Sequence, residues 1–202
     1  MVEDGSLRVL DILSEASAVI AEGEVQQLAN SNDLGITEQD CLSVISAKTA
    51  KLFAAACEVG AVVSEQPPKT AVSLANFGLN FGISFQLVDD IIDYDATDSV
   101  IGKQVGDDFR EGKVTLPVLL AYIRGGPQDR AFWKRTIENG ELRDGDLACA
   151  ISLMKKYEVL NEVRKRAREY ASAACRELDE FPDSPEHRSL IEATKFCANR
   201  SY

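Results

Sequence analysis

Along most of the chain, apolar positions recur at helical spacing. Over residues 7–27, Leu10, Leu13, Ala16 and Ile20, with Leu28 just beyond, return at near-helical intervals, as one face of an α-helix requires. The cluster Asn30-Ser31-Asn32-Asp33-Leu34-Gly35 stops that helix. Thr37 is placed to cap the next one, with Glu38 and Asp40 in the first turn where the helix dipole favours acids. A stripe of Ile45, Lys48, Thr49, Leu52 and Ala56 follows. After a loop at 64–69 containing Pro67-Pro68, a helix is expected over 70–95, about 40 Å long at 1.5 Å per residue. A loop over 96–112 leads to a helix at 115–123, broken by Arg124-Gly125-Gly126-Pro127. Further helices are expected at 128–138, 144–155, 159–180 and 185–198, the last capped by Ser184. No alternating β pattern, internal repeat or low-complexity stretch interrupts the series. The expected fold class is all-α, a single domain over 1–202 with antiparallel helices around a central cavity.

Polar residues break this pattern in three places. The long helix ends in Phe85-Gln86-Leu87-Val88-Asp89-Asp90-Ile91-Ile92-Asp93-Tyr94. At about 100° per residue, Asp89 and Asp93 lie within roughly 40° of each other, one turn apart, and Gln86 precedes them on the same side. Like charges at that spacing weaken a helix, whereas a divalent cation suits them. Mg2+ takes oxygen ligands, keeps several waters, and is typically held by one or two carboxylates plus phosphates. Extended backwards, the row meets Gly82, Ile83, Leu79 and Ala75. That face is expected to wall a pocket for a molecule with an apolar body and a phosphate-bearing head. Lys48, inside an otherwise apolar stripe, must snorkel to solvent or meet an anion. In Glu22-Gly23-Glu24 a glycine sits within a helix, where it costs about 1 kcal/mol; close packing of a neighbouring helix accounts for it from the residues alone.

Residues 101–117 carry Gly102, Gly106 and Gly112, with Lys103, Lys113 and the acidic pair Asp107-Asp108. Glycine opens backbone conformations closed to other residues, and lysine offers a movable charge for phosphate. An aspartate-bearing helix, a Gly/Lys loop and a helix start at Thr115-Leu116-Pro117 together resemble the second aspartate-rich region of the trans-polyprenyl diphosphate synthases. The likeness runs through essentially the whole chain.

Composition narrows the picture further. A net charge of -11 and a pI near 4.6 argue against nucleic acid and anionic membrane surfaces as partners. The five cysteines are widely spaced and lack C-x-x-C, so reduced thiols in a cytoplasmic protein are expected. No leader-like segment opens the chain, and no apolar run is read as long enough to span a bilayer, so an integral membrane protein is not expected. The basic run Arg164-Lys165-Arg166 reads as a solvated face.

The resemblance implies an isoprenoid-synthase-type bundle and a prenyltransferase that condenses isopentenyl diphosphate with an allylic diphosphate, as a homodimer. By the same resemblance Asp89, with Asp90 and Asp93, holds Mg2+. Lys48, Lys103 and Lys113 bind the allylic diphosphate. Thr49 and Gln86 hydrogen-bond the diphosphate or face the reacting carbons, giving Lys48, Thr49, Gln86 and Lys103 catalytic parts. Leu79, Ile83 and Ala75 keep water from the allylic cation. The stretch Glu22-Gly23-Glu24-Val25-Gln26-Gln27 lies near the active-site mouth in the family, which leaves a supporting role open beside the packing explanation. The family's first aspartate-rich motif is absent, since no D-D-x-x-D precedes Gln86. The chain is therefore expected to be the C-terminal portion of a synthase and inactive or nearly so alone. Two other readings compete: a non-catalytic partner subunit of a complete synthase, and a phosphohydrolase using the D-x-D-x-T of Asp93-Tyr94-Asp95-Ala96-Thr97 at a strand end.

Overall fold

The computed structural model describes residues 5–95 and 105–200. The helices are α1 (Leu7–Asn30), α2 (Glu38–Ile45), α3 (Lys51–Val63), α4 (Pro68–Ile92), α5 (Asp107–Arg110), α6 (Leu116–Arg124), α7 (Pro127–Trp133), α8 (Asp146–Lys156), α9 (Val159–Glu177) and α10 (Pro185–Asn199). No strand occurs among the described residues, so the fold is all-α. The D-x-D-x-T reading fails with it, because Asp93 caps a helix rather than ending a strand.

The central helix is α4, which lies between α3 and α9, with α10 also against it. Leu87, Val88 and Ile91 are wholly buried, and burying such a side chain contributes about 1.5–3 kcal/mol. Two glycines set the distance to α3. A Cβ at Gly82 would stand 2.6 Å from the Ala50 Cα, and one at Gly78 would collide with the Phe53 carbonyl. Facing α9, the Ser84 hydroxyl donates to the Ala167 carbonyl at 2.8 Å. By length and composition α4 could cross a bilayer, contrary to the expectation that no such run exists. Only part of α4, including Leu87, Val88 and Ile91, is buried in the fold, while Val72 remains exposed.

Local signals explain several boundaries. The Thr37 hydroxyl accepts the Asp40 N–H at 3.2 Å, and the Asp40 carboxylate accepts the Thr37 N–H at 2.8 Å, a reciprocal cap at the start of α2. Ser184 caps α10 by accepting the His187 N–H at 3.1 Å. The stripe read as one helix through Ile45, Lys48 and Thr49 is interrupted, however. Between α2 and α3, Ser46–Ala50 form a single π turn, a feature often found where function requires it. The basic run is also not merely solvated: Arg166 reaches Glu38 at 2.5 Å and Glu162 at 2.7 Å, tying α9 to α2.

Candidate functional site

A cavity of about 360 Å³ opens at the C-terminal end of α4, between the end of α1, α2 with the π turn, and residues 107–116. Lys48, Thr49, Gln86, Asp89, Asp90, Asp93 and Lys113 all line it. Lys103 lies outside the described residues.

Three carboxylates at the C-terminal end of a helix face the negative pole of its dipole. Two of them are also buried, Asp90 at 4% exposure and Asp93 at 8%. Burial pushes the Asp90 carboxyl up to about 8, and Asp108, Asp89 and Asp93 add repulsion, while the hydrogen bond from Gln86 pulls it down. Asp93 rises to about 6, again chiefly by burial. It is partly held down by the N-terminus of α5, whose Asp108 N–H donates to the Asp93 carboxylate at 3.0 Å. Gly106 supplies the tight entry to α5 at φ 84°, and its N–H donates to the Asp93 carbonyl at 2.8 Å. Asp89 is more open, and Arg200 stands 3.9 Å from it with its guanidinium 4.3 Å over the Phe85 ring.

Neutral side chains link the carboxylates to the π turn. The Thr49 hydroxyl donates to Gln86 Oε1 at 3.0 Å, and Gln86 Nε2 donates to Asp90 Oδ1 at 2.8 Å. The Lys48 ammonium donates to Gln27 Oε1 at 2.6 Å and pairs with Glu24 at 3.0 Å. Opposite, Lys113 pairs with Glu111 at 2.7 Å and Asp108 at 2.9 Å. Burial lowers the Lys113 pKa, but these two acids outweigh it and the net displacement is upward. Cys41 also lines the cavity; burial, reinforced by the nearby carboxylates, pushes its thiol up to about 12, leaving it protonated and inert.

The apolar wall differs from expectation. It is made by Ile36, Val44, Ile45, Val114 and Leu116. Ala75 and Leu79 are not among the lining residues, and Ile83 borders a separate hollow with Val19, Leu42 and Tyr170. The helical row does not continue into the cavity because Leu79 and Ile83 pack into the main core. Asp107 and Asp108 had no assigned role in the sequence, and Gln27 belonged to a stretch for which only a supporting role near the site was open; all three line the cavity. The acidic pair was visible as a motif; the place of Gln27 depends on how α1 docks.

The carboxylate donors are all oxygen, and two of them have pKa values raised by burial with repulsion from neighbouring acids, a charge that a cation would relieve. Both features fit a hard divalent cation. Among the described residues, no ready-made cluster of three His, Cys, Asp or Glu stands at metal-binding separation.

Residues 1–154 match the family model for polyprenyl synthetase. The chain is 40% identical over 200 residues to an octaprenyl diphosphate synthase of Escherichia coli (strain K12), covering 99% of this chain and 62% of that protein. Among solved structures, it is similar to a polyprenyl synthase from Caulobacter crescentus CB15 complexed with calcium and isoprenyl diphosphate. That match has TM-score 0.95 and 44% identity, with 99% and 61% of the two chains covered. A decaprenyl diphosphate synthase from Rhodobacter capsulatus matches with TM-score 0.92 and 43% identity over 98% and 61%. The chain thus spans about three-fifths of the length of these relatives. With the residues of the aspartate row, the π turn and Lys113 gathered on one cavity, these matches place the chain in the polyprenyl synthetase family.

Proposed function

We propose that this chain supplies the magnesium- and diphosphate-binding side of a prenyltransferase site that condenses isopentenyl diphosphate with an allylic diphosphate. One observation carries the reading: carboxylates from α4 and lysines from two other segments, far apart in sequence, meet on a single cavity. Asp89 and Asp93 would hold Mg2+, with Asp90 behind them. Bound there, the ion would supply positive charge to a departing pyrophosphate without proton transfer. Lys48 and Lys113 bind the diphosphate oxygens, and Lys103 is assigned the same part by family resemblance alone. Gln86 and Thr49 present oriented dipoles beside the head group. Ile36, Val44 and Ile45 exclude water from that end of the apolar substrate.

Calcium and isoprenyl diphosphate in the Caulobacter relative support the choice of ligand class. The unpaired cysteines support a reducing, cytoplasmic location. A homodimer belongs to the same reading, supported by apolar residues left exposed along α1 at Leu7, Val25 and Leu28. The test is calorimetric titration of the chain with inorganic pyrophosphate, with and without magnesium. Saturable, magnesium-dependent binding that Asp89→Ala removes supports the reading; binding that ignores magnesium and Asp89 refutes it.

A further inference from the structure

The Glu22-Gly23-Glu24 stretch of α1 has no part in the chemistry above, yet it sits directly on the π turn. Gly23 is buried, and a Cβ there would lie 2.7 Å from the Lys48 backbone nitrogen and 2.9 Å from the Ala47 Cβ. Any side chain at position 23 would drive α1 away from the turn. The close approach brings two α1 side chains to the Lys48 ammonium, Gln27 at 2.6 Å and Glu24 at 3.0 Å. They are not equivalent. Gln27 lines the cavity, whereas Glu24 is half-exposed and does not.

We infer that Gln27 is the positioning residue for Lys48, holding its ammonium at the cavity for an anionic ligand while Gly23 sets the distance. This rests on the reading of Lys48 as a diphosphate-binding residue. A lysine stem has four rotatable carbons and takes no fixed direction by itself. An amide oxygen accepts one of the three ammonium protons and leaves the positive charge intact. A carboxylate in the same place would hold the lysine but cancel its charge toward the ligand. Glu24 pairs through water-exposed geometry, where an ion pair is weak, so an arriving polyanion displaces it while Gln27 stays.

The experiment uses the full chain, titrated calorimetrically with inorganic pyrophosphate in excess magnesium at fixed ionic strength. In parallel, the melting temperature and the rate of Lys48 acetylation by acetic anhydride, read by mass spectrometry, are followed without ligand. Gln27→Leu should weaken pyrophosphate binding about tenfold, the size expected for losing a hydrogen bond to a charged group. Its melting temperature should stay close to wild type, and Lys48 should acetylate faster. Gln27→Glu should keep Lys48 protected yet weaken binding further, whereas Glu24→Gln should leave binding equal or tighter. A Gln27→Leu chain with unchanged affinity but lowered melting temperature overturns the inference, as does Gln27→Glu binding like wild type. Lys48→Ala separates the two levels. If it weakens binding while both Gln27 variants do not, the inference alone fails. If it leaves binding unchanged, or the wild-type chain shows no saturable binding, the site reading fails and the inference with it.

Discussion

Replacing Asp90 by asparagine should stabilise the cation-free chain, and by an amount that grows with pH. The folded-state value of this carboxyl, about 8, lies far above the ordinary 3.8. Between those two pH values the folded chain retains a proton that the unfolded chain has released, so stability falls as pH rises and the full loss is reached above about pH 8. At about 1.4 kcal/mol for each pH unit, that displacement corresponds to on the order of 5 kcal/mol. Local rearrangement and entering water recover part of it. Asparagine retains an oxygen to accept the Gln86 amide, now 2.8 Å from Asp90, and carries no charge to desolvate. We therefore expect Asp90→Asn to be more stable than wild type by about 2–4 kcal/mol at pH 8.5, by about 1 kcal/mol at pH 5, and nearly equal only below about pH 4. Urea unfolding followed by far-ultraviolet circular dichroism, in the presence of EDTA, measures both. Asp93, at about 6, repels Asp90 and so belongs to the difference, whereas groups remote from the cavity titrate alike in both chains and cancel. A stability difference that stays constant from pH 5 to 8.5, or an asparagine variant less stable at the upper end, would refute the argument that Asp90 is buried without adequate compensation.

Magnesium with pyrophosphate together should raise the melting temperature by several degrees, since a ligand at 100 times its Kd adds about 2.7 kcal/mol; differential scanning fluorimetry checks it, and an equal rise with pyrophosphate alone would contradict a cation-dependent site. Gly82→Ala should destabilise by about 1–3 kcal/mol despite alanine's better helix propensity, because the added methyl meets the Ala50 backbone. Chemical denaturation showing no loss would mean that the α3–α4 distance is not set there. Thr49→Val preserves shape but removes the donor to Gln86, and should cost about 1–2 kcal/mol; a double-mutant cycle with Gln86→Leu should show coupling, and strict additivity would argue against the pair. Sedimentation velocity should find a dimer at micromolar concentration that Leu28→Glu weakens, and a wild-type monomer would remove the homodimer from the proposal.

Much of this was legible without coordinates. Helical periodicity, the Thr37 and Ser184 caps, and the glycine–proline breaks are local, depending on side chains a turn or less apart, so the all-α class and most helix limits follow from them. The aspartate row is equally local, because Asp89 and Asp93 share a helix face wherever that helix goes. Three things needed the tertiary structure. The π turn at Lys48 and Thr49 leaves no trace in the apolar spacing. The apolar row Ala75, Leu79 and Ile83 sits on a plausible face, but Leu79 and Ile83 are taken into the main core instead of the cavity wall. The meeting of Gln27, Lys48, Asp90 and Lys113 depends on how α1, the π turn, α4 and the 107–116 segment dock, which buried apolar surface elsewhere decides. Sequence spacing governs neighbours along a helix; distances between helices are governed by packing, and the charge environment of Asp90 arises only once that packing has excluded water.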